Sequence, residues 1–192
     1  MAANSGAQQT MEADISGEAR RKLILGGARS GKSALAETLA AGHDRRIYIA
    51  TAAAGDDEMA ARIAGHRQRR GPSWHTVEAP LDLAGALGAH DGAKCFILVD
   101  CITLWLSNLM TAQGDIEAEI GQLASAVQGV EGTLALVANE VGLGIVPDNA
   151  LARRFRDHAG LANQALARVC DQVVLVAAGL PLVLKGPPLP PA

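Results

Sequence analysis

Short apolar runs alternate along this chain with longer stretches whose apolar residues return every three or four positions. Runs at 23–25, 46–51, 74–78, 95–100, 133–138 and 172–177 have the length and composition of strands, and a last one covers 182–185. The run at 95–100, Cys-Phe-Ile-Leu-Val-Asp, is apolar on both alternations, as a strand covered on both faces of a parallel sheet should be. Between the runs, 34–40, 81–87, 102–110 and 116–127 are rich in helix formers. Asp56 stands where it can cap a helix running to about Arg69, and Gly71-Pro72 ends it. The clearest helix is 149–170, where Leu151, Phe155, His158, Ala162, Ala165 and Val169 follow at intervals of four and three and mark one face. Ala178-Gly179-Leu180-Pro181 reads as a turn joining the last two strands into an edge hairpin. Strands alternating with helices predict a three-layer α/β domain around a mainly parallel sheet.

Composition narrows this picture. Hydrophobic residues make up 49% of the 192 residues, enough for a full core in one domain spanning 21–186. Aromatics are only 3%, so the core falls to Ala, Val, Leu and Ile. A net charge of −3 argues against a nucleic-acid binder, which would be basic. Cys95, Cys101 and Cys170 form no CxxC pair, which suits reduced thiols in a cytoplasm. Residues 1–20 are small and polar and read as a flexible N-terminal extension, neither signal peptide nor membrane anchor. A Pro-rich tail, 187–192, can continue no strand or helix.

The chain is organised around Gly26-Gly27-Ala28-Arg29-Ser30-Gly31-Lys32-Ser33, the Gly-x-x-x-x-Gly-Lys-Ser pattern of a phosphate-binding P-loop. It follows the apolar run 23–25 and opens a helix, the context the motif requires. Its glycines let successive N–H groups point into one concave nest, and the helix N-terminus adds partial positive charge. Lys32 would reach the β- and γ-phosphates, and the Ser33 hydroxyl would hold Mg²⁺. Asp100 ends an apolar strand expected to neighbour the P-loop strand, where P-loop proteins keep an acid that orients the metal or its water. The alternative for Asp100 is an ordinary cap on the following turn. The two elements together specify a triphosphate site and leave the reaction open.

The expected helix from Asp56 carries Met59, Ile63 and His66 on one face, with Arg62, Arg67, Arg69 and Arg70 around them. Four guanidinium groups there suit a polyphosphate, because each can bond phosphate oxygens bidentately. A neutral imidazole beside them could attack an α-phosphorus and expel pyrophosphate. Spacing alone favours the plainer alternative, a core-facing histidine beside a solvated basic face. His158 follows the apolar stripe of its helix and reads as a core histidine.

Several segments together resemble one family, the bifunctional adenosylcobinamide kinase/adenosylcobinamide-phosphate guanylyltransferases of cobalamin biosynthesis. They are the P-loop, Tyr48-Ile-Ala-Thr51, Asp57-Glu-Met-Ala-Ala-Arg-Ile63, His66-Arg67, Trp74 and Thr76-Val77-Glu78. Val99-Asp-Cys-Ile-Thr103, Asn139-Glu-Val-Gly-Leu-Gly-Ile-Val-Pro147, Arg154-Phe-Arg-Asp157 and Gly160-Leu-Ala-Asn-Gln164 continue the match in family order. The resemblance implies an α/β fold, a P-loop (RecA-like) domain with a mainly parallel sheet and a C-terminal edge hairpin. It implies phosphorylation of the aminopropanol hydroxyl of adenosylcobinamide with ATP or GTP. Transfer of GMP from GTP through a guanylyl-histidine then gives adenosylcobinamide-GDP. The guanylylated histidine falls on His66, and Lys32 is the second catalytic position. The nucleotide contacts fall on Gly26 to Ser33, on Ala50, Thr51 and Ala52, on Arg67, Gln68, Arg69 and Arg70, on Glu78 and on Asp100. The metal positions are Ser33 and Asp100 with Mg²⁺, and the other partner is the corrinoid, with no nucleic acid and no membrane insertion. It further implies a cytoplasmic homo-oligomer, a trimer.

Rival readings are a P-loop kinase for another small alcohol, with His66 structural, and a nucleotide-switched regulatory module. The segment 139–147 follows an expected strand, so it falls at the ligand-binding edge of the sheet. It is expected to form a cobinamide-side wall with Glu140 near the substrate hydroxyl; the plainer alternative is a connection in which Glu140 caps backbone groups.

Overall fold

The computed structural model describes residues 19–52 and 73–189. The expected helix at 56–69, and with it His66, Arg67, Gln68, Arg69 and Arg70, lies outside the described residues. So do most of the N-terminal extension and the last residues of the tail.

The described elements run β1 (Arg21–Gly26), α1 (Lys32–Thr38), β2 (Arg45–Ala50), β3 (Trp74–Glu78), α2 (Leu83–His90), β4 (Cys95–Asp100) and α3 (Ile102–Thr111). They continue with α4 (Ile116–Gly129), β5 (Thr133–Asn139), α5 (Ala150–Val169), β6 (Gln172–Ala177) and β7 (Leu180–Lys185). The strands form one seven-stranded sheet in the order β3-β2-β4-β5-β1-β6-β7. All neighbouring pairs are parallel except β6 and β7, which form the antiparallel edge hairpin.

Period-two alternation sorts the strand side chains into two cores, one on each face. Leu23, Ile47, Ile49, Ile97, Val99, Leu134 and Leu136 pack under α2 to α5. Ile24, Tyr48, Phe96, Leu98, Ala135, Val137 and Val174 face the other way, where α1 contributes Ala36 and the turn after it Ala40. The middle strands are apolar on both alternations because both faces are covered, which makes the fold the expected three-layer α/β P-loop domain.

Helix starts follow side-chain caps. Asp82 accepts from Gly85 N at 2.8 Å, Asp115 from Ala118 N at 3.1 Å and Asn149 from Ala152 N at 2.7 Å. The cap at Asp82 moves α2 two residues later than the apolar run suggested.

Three expectations need correction. The strand carrying Asp100 is not the neighbour of the P-loop strand, because β5 lies between them. The expected face of α5 fails only at its start: Leu151 is exposed, whereas Phe155, Ala165 and Val169 pack against the core and Ala162 is buried in it, beside Ala159, Asn163 and Leu166. The first turn of α5 runs beyond the core, so an apolar residue there has nothing to pack on. Finally, the last turn is only Ala178-Gly179, with Leu180 and Pro181 already in β7. Both turn residues have positive φ, 51° and 80°, the two-residue geometry that matches strand twist in a hairpin.

Candidate active site

Six parallel strands end on one edge of the sheet, so the residues that follow them line a common rim. The P-loop leaves β1 at Gly26, whose φ is 152° and whose Cβ, if present, would stand 2.3 Å from the Val176 carbonyl oxygen. Only glycine fits there. Gly27, Ala28 and Arg29 form the exposed crest, Ser30 and Ser33 are half-buried, and Gly31 opens α1 with no side chain bonded to the helix's first amides. Lys32 is 6% exposed and folds back over the loop, its Nζ donating to the Gly27 carbonyl at 2.5 Å and lying 3.5 Å from Ser30 Oγ. The ammonium therefore sits over the same concave backbone that would receive phosphate oxygens.

β5 ends beside this loop. Gly26 pairs with Asn139, and Glu140 N donates to the Gly26 carbonyl at 3.0 Å. Glu140 Oε1 accepts from Gly142 N at 2.6 Å, so the carboxylate caps its own loop as the plainer alternative held. Beyond it Leu143, Ile145 and Val146 are exposed, Ile145 to 98%.

Asp100 ends β4, two strand positions from β1, or about 10 Å at the usual spacing between strands. Its Oδ2 accepts from the hydroxyl of Tyr48 at 3.1 Å, which orients the half-buried carboxylate. The Asp100–Cys101 peptide bond is cis. Thr51, fully buried, latches this point: its hydroxyl donates to the Cys101 carbonyl at 2.7 Å and accepts from Cys101 N at 2.8 Å. Asn108 Nδ2 donates to the Thr51 carbonyl at 2.8 Å and to that of Pro80 at 3.0 Å. The Thr51 hydroxyl is thus spent inside the protein, as are the Thr51 N–H, which donates to the Asp100 carbonyl at 3.3 Å, and the Ala50 carbonyl, which accepts from Ala79 N at 2.9 Å. Burial, and then the neighbouring Asp100, push the Cys101 thiol up to about 11, so it stays neutral and is no nucleophile.

Glu78 closes β3, four strand positions and roughly 19 Å from the P-loop strand. It borders a depression of about 420 Å³ walled by Ala79, Pro80, Leu81 and Ala86. The expected nucleotide residues therefore divide along one edge. Counted from the P-loop strand, Asp100 stands at the second strand position, Ala50, its register partner on β2, at the third, and Glu78, paired with Ala50, at the fourth. Among the described residues no group of three or more His, Cys, Asp or Glu gathers to hold a metal ion. Ser33 and Asp100 remain as hard oxygen donors, the sparse set that suits Mg²⁺ retaining water and phosphate ligands.

Three rim residues escaped sequence reasoning. Tyr48 orients Asp100, Asn108 holds the Thr51 latch, and Thr103 Oγ1 accepts from Asn139 N at 2.7 Å to tie α3 to the end of β5. Tyr48 and Thr103 stand in the segments 48–51 and 99–103 that carry the family resemblance, which gives them no role, and Asn108 carries no signal.

The family described as cobinamide kinase / cobinamide phosphate guanyltransferase matches residues 22–184 of this chain. The bifunctional adenosylcobalamin biosynthesis protein CobP of Pseudomonas aeruginosa is 50% identical over 172 residues, covering 88% of this chain and 99% of that protein. The bifunctional adenosylcobalamin biosynthesis protein CobU of Escherichia coli K12 is 42% identical over 178 residues, covering 85% and 98%. Among solved structures, a prototypical ATPase from the type III secretion system of pathogenic bacteria superimposes with a TM-score of 0.53 at 14% identity, over 86% of this chain and 57% of that one. A Pyrococcus horikoshii OT3 protein, PH0250, gives a TM-score of 0.51 at 11% identity, over 87% and 86%. At such identities the structural likeness speaks for the fold alone.

Proposed function

This chain belongs to the cobinamide kinase / cobinamide phosphate guanyltransferase family, and from that premise we propose how its sheet edge carries out the two reactions. It is a bifunctional enzyme of cobalamin biosynthesis, a cobinamide kinase and a cobinamide phosphate guanyltransferase. The observation that carries the mechanistic reading is the P-loop at the end of β1, with Lys32 folded over the Gly27 carbonyl and Asp100 on the same rim.

In the kinase step the aminopropanol hydroxyl of adenosylcobinamide attacks the γ-phosphorus of ATP or GTP. A P–O bond forms to the substrate, the β,γ-bridge breaks, the nucleoside diphosphate leaves and the hydroxyl proton is released. Lys32 and the loop amides hold the β- and γ-phosphate charge, which is where phosphoryl transfer gains most. Ser33 and Asp100 fit Mg²⁺ by their oxygen chemistry, and the ion bound there would neutralise triphosphate charge.

In the guanylyl step a nitrogen of His66 attacks the α-phosphorus of GTP, forming a P–N bond and expelling pyrophosphate. A phosphate oxygen of cobinamide phosphate then attacks the same phosphorus and releases the imidazole, giving adenosylcobinamide-GDP. Arg67, Gln68, Arg69 and Arg70 would receive the polyphosphate, and Ala50 to Ala52 with Glu78 the far part of the nucleotide. The separation between Glu78 and the P-loop supports a nucleotide or His66 that changes pose between the two steps. The corrinoid lies against the exposed apolar segment 143–146, in a cytoplasmic trimer. Among the described residues no helix is long and apolar enough to cross a membrane.

The test is labelling with α-³²P GTP. The wild-type chain should retain label that is acid-labile and alkali-stable, as a phosphoramidate is, and His66→Ala should retain none. Label kept by His66→Ala would move the nucleophile elsewhere, and no label on the wild type would remove the covalent step.

A further inference from the structure

The hairpin that ends the sheet meets the nucleotide loop directly. Gly179 N, in the β6–β7 turn, donates to the Ser30 carbonyl at 2.8 Å. A Cβ on Gly31 would stand 3.3 Å from Gly179 Cα, and one on Gly26 would stand 2.3 Å from the Val176 carbonyl oxygen. The first and the last glycine of the P-loop are therefore closed against the end of β6 and its turn, with no room for a side chain between. β6 pairs with β1 up to Gly26 and Val176, so the contact continues a sheet ladder and is not an isolated touch.

The other end of the same hairpin is fixed independently. Lys185 Nζ donates to the Cys170 carbonyl at 2.6 Å and the Ala167 carbonyl at 2.8 Å, capping the C-terminus of α5. Gln172 Nε2 donates to the Pro187 carbonyl at 2.5 Å. These bonds hold the end of the hairpin away from the P-loop, so they can be loosened separately from the Ala178-Gly179 turn.

We infer that the Ala178-Gly179 turn is a positioning element of the nucleotide site, setting the shape of the P-loop through the Ser30 carbonyl and through close packing on Gly26 and Gly31. A P-loop binds phosphate with backbone amides, whose directions depend on every peptide plane in the loop. Ser30 sits between the exposed crest and Lys32, so a shift of its carbonyl rotates the amide that follows, that of Gly31. The inference rests on the nucleotide reading of Gly26 to Ser33 given above. It adds that residues some 150 positions later in the chain determine nucleotide affinity without touching the nucleotide.

Gly179→Val tests it. A side chain at Gly179 meets nothing within 4 Å, so the change acts through the backbone, where a φ of 80° disfavours a β-branched residue. The Gly179 N–H should move off Ser30. Equilibrium binding of a fluorescent GTP analogue to the full chain should weaken by about tenfold, as small misplacements of a positioned group do. The nucleotide KM of both reactions should rise with it, more than kcat falls. Lys185→Met loosens the opposite end of the hairpin and should lower the Tm while leaving GTP-analogue affinity as in the wild type. If Gly179→Val fails to fold, Gly179→Ala carries the test with a smaller shift in the same direction. Unchanged affinity in the folded Gly179 variants overturns the inference, and so does equal weakening by Lys185→Met. A wild-type chain that did not bind the analogue would overturn the nucleotide reading and the inference with it, whereas binding matched by the Gly179 variants overturns the inference alone.

Discussion

Lys32 concentrates the logic of the site in one side chain. Its stem is buried and its ammonium rests on the Gly27 carbonyl, a neutral acceptor that phosphate oxygens can replace with a charge-assisted bond. Lys32→Ala should lower both the kinase and the guanylyl rate by at least ~10²-fold, the usual cost of removing one transition-state charge partner. Assays of each half-reaction on the same folded protein decide it, and loss of one activity alone would put the second triphosphate elsewhere on the rim. Asp100 makes a different case. Tyr48 can donate to an amide oxygen as well as to a carboxylate, so Asp100→Asn should keep the fold to within about 1 kcal/mol. The Mg²⁺ concentration for half-maximal rate should rise, because the charge has gone. Mg²⁺ titrations that superimpose on the wild type would leave Asp100 as a strand-end residue held by Tyr48. Both positions were legible in the sequence because a motif fixes them. Asn108 and Thr103 were not, since a polar residue in a helix acquires its meaning from the strand end it happens to face.

At the scale of elements, apolar runs located the strands. β4 and β6 begin and end at the residues their runs predicted, as does the half-exposed edge strand β3, whereas the buried β1 starts two residues before its run. Helix boundaries moved where a cap decided them, as at Asp82, and the stripe of α5 failed only where the core ran out, at Leu151. The loop after β5 was expected at the ligand edge and stands there, but its neighbour is the P-loop strand through Glu140 N and Gly26 O. That contact ties its base to the P-loop. Its tip exposes Leu143, Ile145 and Val146, aliphatic surface that a macrocyclic corrinoid could cover. Ile145→Ser should therefore raise the KM for adenosylcobinamide several-fold with the nucleotide KM unchanged, a methylene or two being worth ~1–3 kcal/mol in an apolar contact. Glu140→Ala, which frees Gly142 N, should slow the kinase step far more than formation of the guanylyl-enzyme. Equal loss of both in a folded variant would assign the loop to the nucleotide.

For the whole molecule, the layered fold could be read from the chain but the strand order could not. Nothing in the residues of β5 says that it inserts between β1 and β4, since any parallel strand apolar on both alternations would fit that place. The same holds for the end of the sheet, where the sequence gives a hairpin without saying what its outer edge meets. β7 puts Leu180, Leu182 and Leu184 on one face by the two-residue period, and all three are exposed, while Val183 turns into the opposite core. An edge strand with free backbone groups and a row of leucines is what soluble proteins ordinarily blunt with charge or cover. The expected cover is a second copy of this chain, in keeping with the proposed trimer. Leu182→Lys places a charge in the middle of the row without disturbing β6 or the turn. Sedimentation velocity should then show the assembly of the wild type replaced by monomer at equal concentration. GTP-analogue binding at the P-loop should persist, because the hairpin tip holds Ser30 from within one chain. An unchanged sedimentation coefficient would mean that the copies meet on another face. Loss of nucleotide binding together with dissociation would mean that the triphosphate site is completed by the neighbour.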